Sequence, residues 1–368
     1  MPSSAAANSS TRNVAVLAGT GFNQQFLDLA PENPLGDWRS LLRAAAQALG
    51  VPCPWEHKHW ETSAGLTLVW EELVVSMVSL GFILPGTQDR IGRFAMQAGE
   101  AETFAKKAVQ EVLKASVPGP PKPNTLDTVL PVSDFISLNF EAFWSSKPAR
   151  PDLEVKRSVA HRIKLASKSI SPLREVRRLY FRQRTVDGMT LWFPNGHVSG
   201  PRDSLRLGLR DFGFHPKALH DAVNKTRAWE RQTLGTDAGL TGDAAYHRLL
   251  AALSESNDAG PADHWVTPFL IRPLFILGTA LSPAEQGIWW LLAQRHRNSA
   301  RVNNPAPVYI LLKANTMSDQ DKVFWENRPL GVLPIWCETW EQGWAEVAEV
   351  MKKVSANFHG TITRGAGR

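Results

Sequence analysis

The stretch Asn13-Val14-Ala15-Val16-Leu17-Ala18-Gly19-Thr20-Gly21-Phe22-Asn23 restricts the folds open to this chain more than any other. An apolar run from Val14 to Ala18 stops abruptly at Gly-Thr-Gly. Apolar residues without alternation mark a strand covered on both faces, as parallel strands are. Glycine at 19 and 21 removes two Cβ atoms, so the backbone can turn sharply and approach a neighbour closely. In a strand–turn–helix unit such a loop presents backbone N–H groups to a phosphate. The full G-x-G-x-x-G spacing is absent, because Gln24 stands where the third glycine would be.

The rest of the chain supplies the elements that such a strand needs around it. Asp134–Asn139, Thr190–Phe193, Leu274–Leu277, Val308–Leu312 and Val332–Trp336 are strand-like. A helix is expected from Asp37, a natural N-cap, to about Leu49, with Gly50 as its stop. Trp70, Leu73, Val74, Met77 and Val78 recur at three- and four-residue steps, and Ala101 to Leu113 repeats the pattern, so 65–117 reads as helical. Two helices are expected over 216–256, one over Glu285–Arg297 and a closing one over Trp340–Val354. Strands alternating with helices predict an α/β fold, a Rossmann-like doubly wound parallel sheet. The expected organisation is a disordered tail over 1–12, one domain over 13–355 with helical insertions at 60–117 and 148–185, and a flexible tail over 356–368.

Composition narrows the function classes. No apolar run is long enough to span a bilayer, and residues 1–12 lack the apolar core of a secretory signal, so a cytoplasmic location away from the membrane is expected. The two cysteines, Cys53 and Cys337, form no C-x-x-C pair and cannot build a four-ligand zinc site, so no metal is expected. Of the net charge of +6, one segment accounts for all. Lys147 to Arg184 holds twelve Lys or Arg against three acids, whereas the remainder carries 29 basic and 32 acidic residues. The basic stretch 150–184 reads as helical, broken at Pro172. Two uses stay open for it: a solvated face, or a surface for nucleic acid or an acidic partner protein.

Read in order, four motifs together resemble the sirtuin-like family of NAD-consuming domains. Gly19-Thr20-Gly21-Phe22-Asn23 is similar to that family's Gly-Ala-Gly-x-Ser loop, and Ser137-Leu138-Asn139-Phe140-Glu141 to its Thr-x-Asn-x-Asp strand end. Gly196-His197-Val198 stands for the His-Gly pair with the following glycine missing. Gly278 with Ser282-Pro283 and Glu285 stands for the late Gly-x-x-x-x-Asp strand end. Asp37-Trp38-Arg39 fits the family's Pro-x-Trp-x-x-Leu-Leu helix start. The resemblance implies a site in which Gly19, Thr20, Gly21, Phe22 and Asn23 anchor the pyrophosphate of NAD. Gly278 and Thr279 join these contacts, and Asp37 and Glu141 reach the ribose or support it. Asn139 and His197 are the catalytic pair it implies.

The chemistry suits those residue types. Cleaving the nicotinamide–ribose bond builds an oxocarbenium-like centre, while the leaving nicotinamide is already cationic and needs no general acid. The site must anchor the substrate, clamp its ribose, activate a nucleophile and exclude bulk water. An asparagine amide both donates and accepts, and an imidazole titrates at about 6.5, near neutrality. Other roles are open to both residues. An asparagine at a strand end commonly forms a turn. A given one of the ten histidines is usually surface or structural, as at His161, His215, His220, His247 and His296, which fall on or beside expected helices with no visible partner.

The resemblance thus implies an NAD glycohydrolase like the sirtuin-like effectors of bacterial anti-phage systems. Little chain follows the closing helix for a sensor, so control by a partner in trans (an ATPase or an Argonaute-type protein) or by homo-oligomer assembly is expected. Two other classes remain: an NAD-dependent protein deacylase, whose usual zinc module is missing here, and a non-enzymatic nucleotide- or nucleic-acid-binding module.

Overall fold

The computed structural model describes residues 13–26, 29, 32–51, 63–79, 98–116, 132–139, 181–184, 190–196, 205–208, 215–235, 242–255, 264–279, 281, 285–299 and 306–365. The predicted strands fall where their apolar runs put them: β1 (Val14–Ala18), β2 (Val132–Ser137), β4 (Thr190–Phe193), β5 (Leu274–Leu277), β6 (Val308–Lys313) and β7 (Val332–Cys337). These six strands run parallel in the order β4-β2-β1-β5-β6-β7. A seventh, β3 (Phe181–Arg184), lies antiparallel on the outer edge of β4. The basic segment was expected to be helical, but its last residues are this edge strand. With one neighbour only, a strand can carry Arg182, Gln183 and Arg184 without an apolar run, so periodicity did not mark it.

The strand order explains why β1 reads as it does. It is the middle strand of the seven, buried throughout and hydrogen-bonded on both sides, to β2 and to β5. Its side chains alternate between two cores. Val14, Val16 and Ala18 enter the first, with α2 (Trp38–Leu49), α3 (Ser63–Ser79), α4 (Ala98–Ala115) and the first part of α10 (Trp340–Gly365). Ala15 and Leu17 enter the second, with α5 (His215–Leu234), α6 (Asp243–Glu255), α7 (Val266–Ile271), α8 (Gln286–Ser299) and α9 (Asp319–Glu326). The result is a three-layer α/β/α, Rossmann-like sandwich. Chain progress outward through β2 and β4 reverses at β1, and β5 resumes on its other side. That reversal, between β1 and β5, is where doubly wound sheets bind ligands, outside the carboxyl ends of the strands.

Local signals fixed the helix ends. Asp37 Oδ1 accepts from the Ser40 N–H at 2.9 Å, and Gly50 ends α2 in the left-handed region at φ 64°, as expected of both. The closing helix α10 differs: it continues to Gly365, so most of the segment expected as a flexible tail is helical. The expected helical insertion at 60–117 contributes α3 and α4, which pack on each other and, with α2, on the first core. No described helix is long and apolar enough to cross a membrane.

One buried network was invisible in the sequence. Asp134, near the start of β2, accepts from Arg272 Nε at 2.7 Å and from Trp192 Nε1 at 2.9 Å. Both ion-pair partners are almost fully buried. Arg295 on α8 gives its guanidinium to backbone carbonyls, donating to Phe269 and, at 2.7 and 2.8 Å, to Arg272 and Ala306. Burial pulls its pKa down to about 10, opposed by the nearby Tyr246 phenol, so it stays charged at neutral pH. Arg295 thereby pins the turn before β5 to the chain leading into β6.

Candidate functional site

Four strand ends meet at the carboxyl edge of the sheet, and a row of hydrogen bonds runs across them. From the β5 side, Gly21 N–H donates to Gly278 O and Gly19 N–H to Leu277 O, both at 2.9 Å. Beyond β1, Leu138 N–H donates to Ala18 O at 2.9 Å. Asn139 Nδ2 then donates to Gly19 O at 2.9 Å, tying the β2 end to the β1 turn. On the far side, Asn195 Nδ2 donates to Leu138 O at 2.8 Å.

The glycines serve this closure. A Cβ on Gly19 would stand 2.6 Å from Gly278 O and 2.7 Å from Thr279 Cβ; one on Gly21 would stand 2.9 Å from Gly278 O. A Cβ on Gly278, which has φ +68°, would collide with the Phe22 nitrogen. The close approach foreseen for a ligand is therefore made by the protein's own backbone. The N–H groups of Gly19, Gly21 and Phe22 all donate to carbonyls, of Leu277, Gly278 and Gly19 respectively. This departs from the expectation of a loop whose N–H groups face a phosphate: a phosphate there would have to displace these bonds.

The remaining predicted residues divide clearly. Phe22 is a core residue, its ring edge-on to Phe135 (centroids 5.1 Å apart) and Trp344 (5.6 Å). Asp37 is the α2 cap, with Oδ1 on the Ser40 N–H and Oδ2 accepting from the Ser40 hydroxyl at 2.8 Å. Thr20, at the start of α1 (Thr20–Phe26), is half-buried. Thr279 donates to the Glu285 carboxylate at 3.2 Å and accepts from Leu281 N–H at 3.2 Å. It sets Glu285 beside the β5 end. Glu141 and His197 lie outside the described residues.

Among the described residues of the site, two asparagines carry unmet polar capacity. Asn139 is buried, with its N–H donating to Ser137 Oγ at 3.2 Å and Nδ2 on Gly19 O, while its Oδ1 has no hydrogen-bond partner. Asn23 is likewise buried, its Nδ2 donating to Leu35 O at 3.3 Å and its Oδ1 unpartnered. Amide orientation is normally an assignment, but here a carbonyl faces each nitrogen and can only accept, which fixes the nitrogens. Leaving a buried acceptor unmade costs about 1–3 kcal/mol. A group with hydroxyl or amine donors, such as a ribose, fits Asn139 Oδ1; a phosphate oxygen does not.

Asn195 had no assigned role in the sequence, although Pro194-Asn195-Gly196 is a turn signal. Gly196, at φ 90°, closes that turn with its N–H on Phe193 O at 3.1 Å, and Arg206 N–H returns to Asn195 O at 3.0 Å. Leu205 and Leu207 then enter the first core, so the chain on both sides of 197–204 is fastened to the sheet. Among the described residues no group of three His, Cys, Asp or Glu side chains is placed to hold a metal. Comparison of the chain with protein-family models and with curated proteins finds no match to either.

Proposed function

We propose that this chain hydrolyses NAD at the nicotinamide–ribose bond, at the carboxyl edge of the sheet beside Asn139. The observation that carries the reading is Asn139 itself: at a strand end next to the β1–β5 reversal, locked through Nδ2, with a buried Oδ1 lacking a donor. In this reading Oδ1 accepts from a ribose hydroxyl and holds the sugar. The C1′–N bond breaks with its electron pair leaving on nicotinamide. A water oxygen bonds to C1′, and its proton passes to His197, yielding nicotinamide and ADP-ribose. The glycine turn contributes by shaping the floor of the site, and phosphate contacts fall to groups other than the N–H of Gly19, Gly21 and Phe22. The motif resemblance adds the biological setting: an anti-phage effector that depletes NAD in the cytoplasm, controlled by a partner protein or by self-assembly.

The test is direct. Purified protein, alone and with the product of its neighbouring gene, is incubated with NAD, and nicotinamide and ADP-ribose are quantified by chromatography. Asn139→Ala should abolish turnover in a protein whose circular dichroism matches wild type. An alanine variant with wild-type turnover would remove Asn139 from the chemistry.

A further inference from the structure

The Leu138–Asn139 peptide is held from both sides in a way the proposed chemistry would use. Its carbonyl accepts from Asn195 Nδ2 at 2.8 Å, and its N–H donates to Ser137 Oγ at 3.2 Å. Those two groups belong to one rigid plane, so fixing both fixes how the Asn139 Cα leaves the strand. Asn139 Nδ2 on Gly19 O then sets the side chain. Of these three restraints, Ser137 and Gly19 come from β2 and the β1 turn. Asn195 alone reaches across from β4, out of the turn that leads to His197 two residues later.

We propose that Asn195 is a positioning residue: it ties the β4 turn to the Leu138–Asn139 peptide and so holds the Asn139 amide, with its unpartnered Oδ1, in place for the substrate. This deepens the NAD-hydrolysis reading and rests on it. Asn195 is half-buried, so its amide is not needed to fill a core. Its backbone O and the adjacent Gly196 N–H are also bonded, to Arg206 N and Phe193 O, so the turn keeps its own shape when the side chain changes. What the side chain adds is the link between two strand ends.

The discriminating substitution is Asn195→Asp, nearly isosteric, which replaces a donor facing the Leu138 carbonyl with an acceptor. A misplacement of about 1 Å at a reacting centre costs about 10²-fold in rate. Asn195→Asp and Asn195→Ala should therefore lower kcat about 10- to 100-fold with KM within about threefold. Asn195→Ser, which restores a shorter donor, should recover part of the loss. Protein labelled with ¹⁵N-asparagine gives a second readout, with the Asn139 side-chain signal identified by its loss in Asn139→Ala. It should shift or broaden in Asn195→Asp but hold in a control, Asn224→Ala, on the exposed face of α5. Wild-type kcat in both Asn195 variants, or an unmoved Asn139 signal, would overturn the proposal. If wild type cleaves no NAD, the functional reading fails, and the Asn139 signal still decides whether Asn195 positions it.

Discussion

Gly278 and Gly50 have nearly the same backbone conformation, φ +68° and +64°, and opposite surroundings. An alanine at Gly50 would meet nothing within 4 Å. Its cost is the left-handed strain alone, about 1–2 kcal/mol. An alanine at Gly278 pays that same strain and also drives its Cβ into the backbone of Gly21 and Phe22. Backbone on both sides means that no flexible side chain can give way, so α1 must move off the β5 end. The bonds at risk are Gly21 N–H to Gly278 O and Gly19 N–H to Leu277 O. At about 0.5–1.5 kcal/mol net each, they bring the expected cost of Gly278→Ala to about 2–5 kcal/mol. Urea unfolding followed by tryptophan fluorescence measures both variants on one scale. The difference between them, which cancels the shared strain, should be at least about 1 kcal/mol. Equal midpoints and slopes for the two would refute the close packing of the β1 turn on β5, and with it the account of why glycines stand at 19, 21 and 278.

Asp134→Asn should cost about 3–5 kcal/mol in the same assay, because it strands a buried guanidinium; pairing it with Arg272→Met should return most of that loss. His264 is buried, and desolvation, with the Lys225 charge adding to it, lowers its pKa to about 4. Its neutral form therefore stabilises the fold fully above the unfolded value of about 6.5. That contribution drains away as pH falls toward 4, by up to about 3 kcal/mol. Chemical denaturation between pH 7 and 4 should show the loss, flattened in His264→Gln; an unchanged slope would contradict it. His197→Ala should lose about 10²–10⁴ in turnover as a missing general base while calorimetry still detects NAD binding. Lost binding with an intact fold would recast His197 as a binding residue.

Much of the architecture is legible because buried parallel strands announce themselves. VAVLA, LFIL and VYILL are apolar without alternation since helices cover both faces of the sheet, and helices of regular period lie between them. The Asp37 and Gly50 caps are local chemistry and were legible too. What escaped are relations set by register across distant strands. Nothing in the vicinity of Asp134 announces that Arg272, 138 residues away, will neutralise it. The glycine turn shows the same limit: two missing Cβ atoms declare a close approach without declaring to what, and here the neighbour is Gly278. Asn139 was legible by place, at a strand end beside that turn, but its split role was not. One half of its amide braces the turn and the other half is left over.

The central position of β1 sets an order on the making of this protein that the finished sheet conceals. It leaves the ribosome first, yet its partners are β2 and β5, and β5 begins only at Leu274. At 5–20 residues per second, on the order of 10–50 s separates the two. Through that interval β1 can pair with β2 and gather helices over its faces, while the edge that will meet β5 stays open. An open apolar edge is a template for another chain. Chains cut short before residue 274 should therefore be the ones that aggregate, since the first of these strands to be made waits longest for its second neighbour.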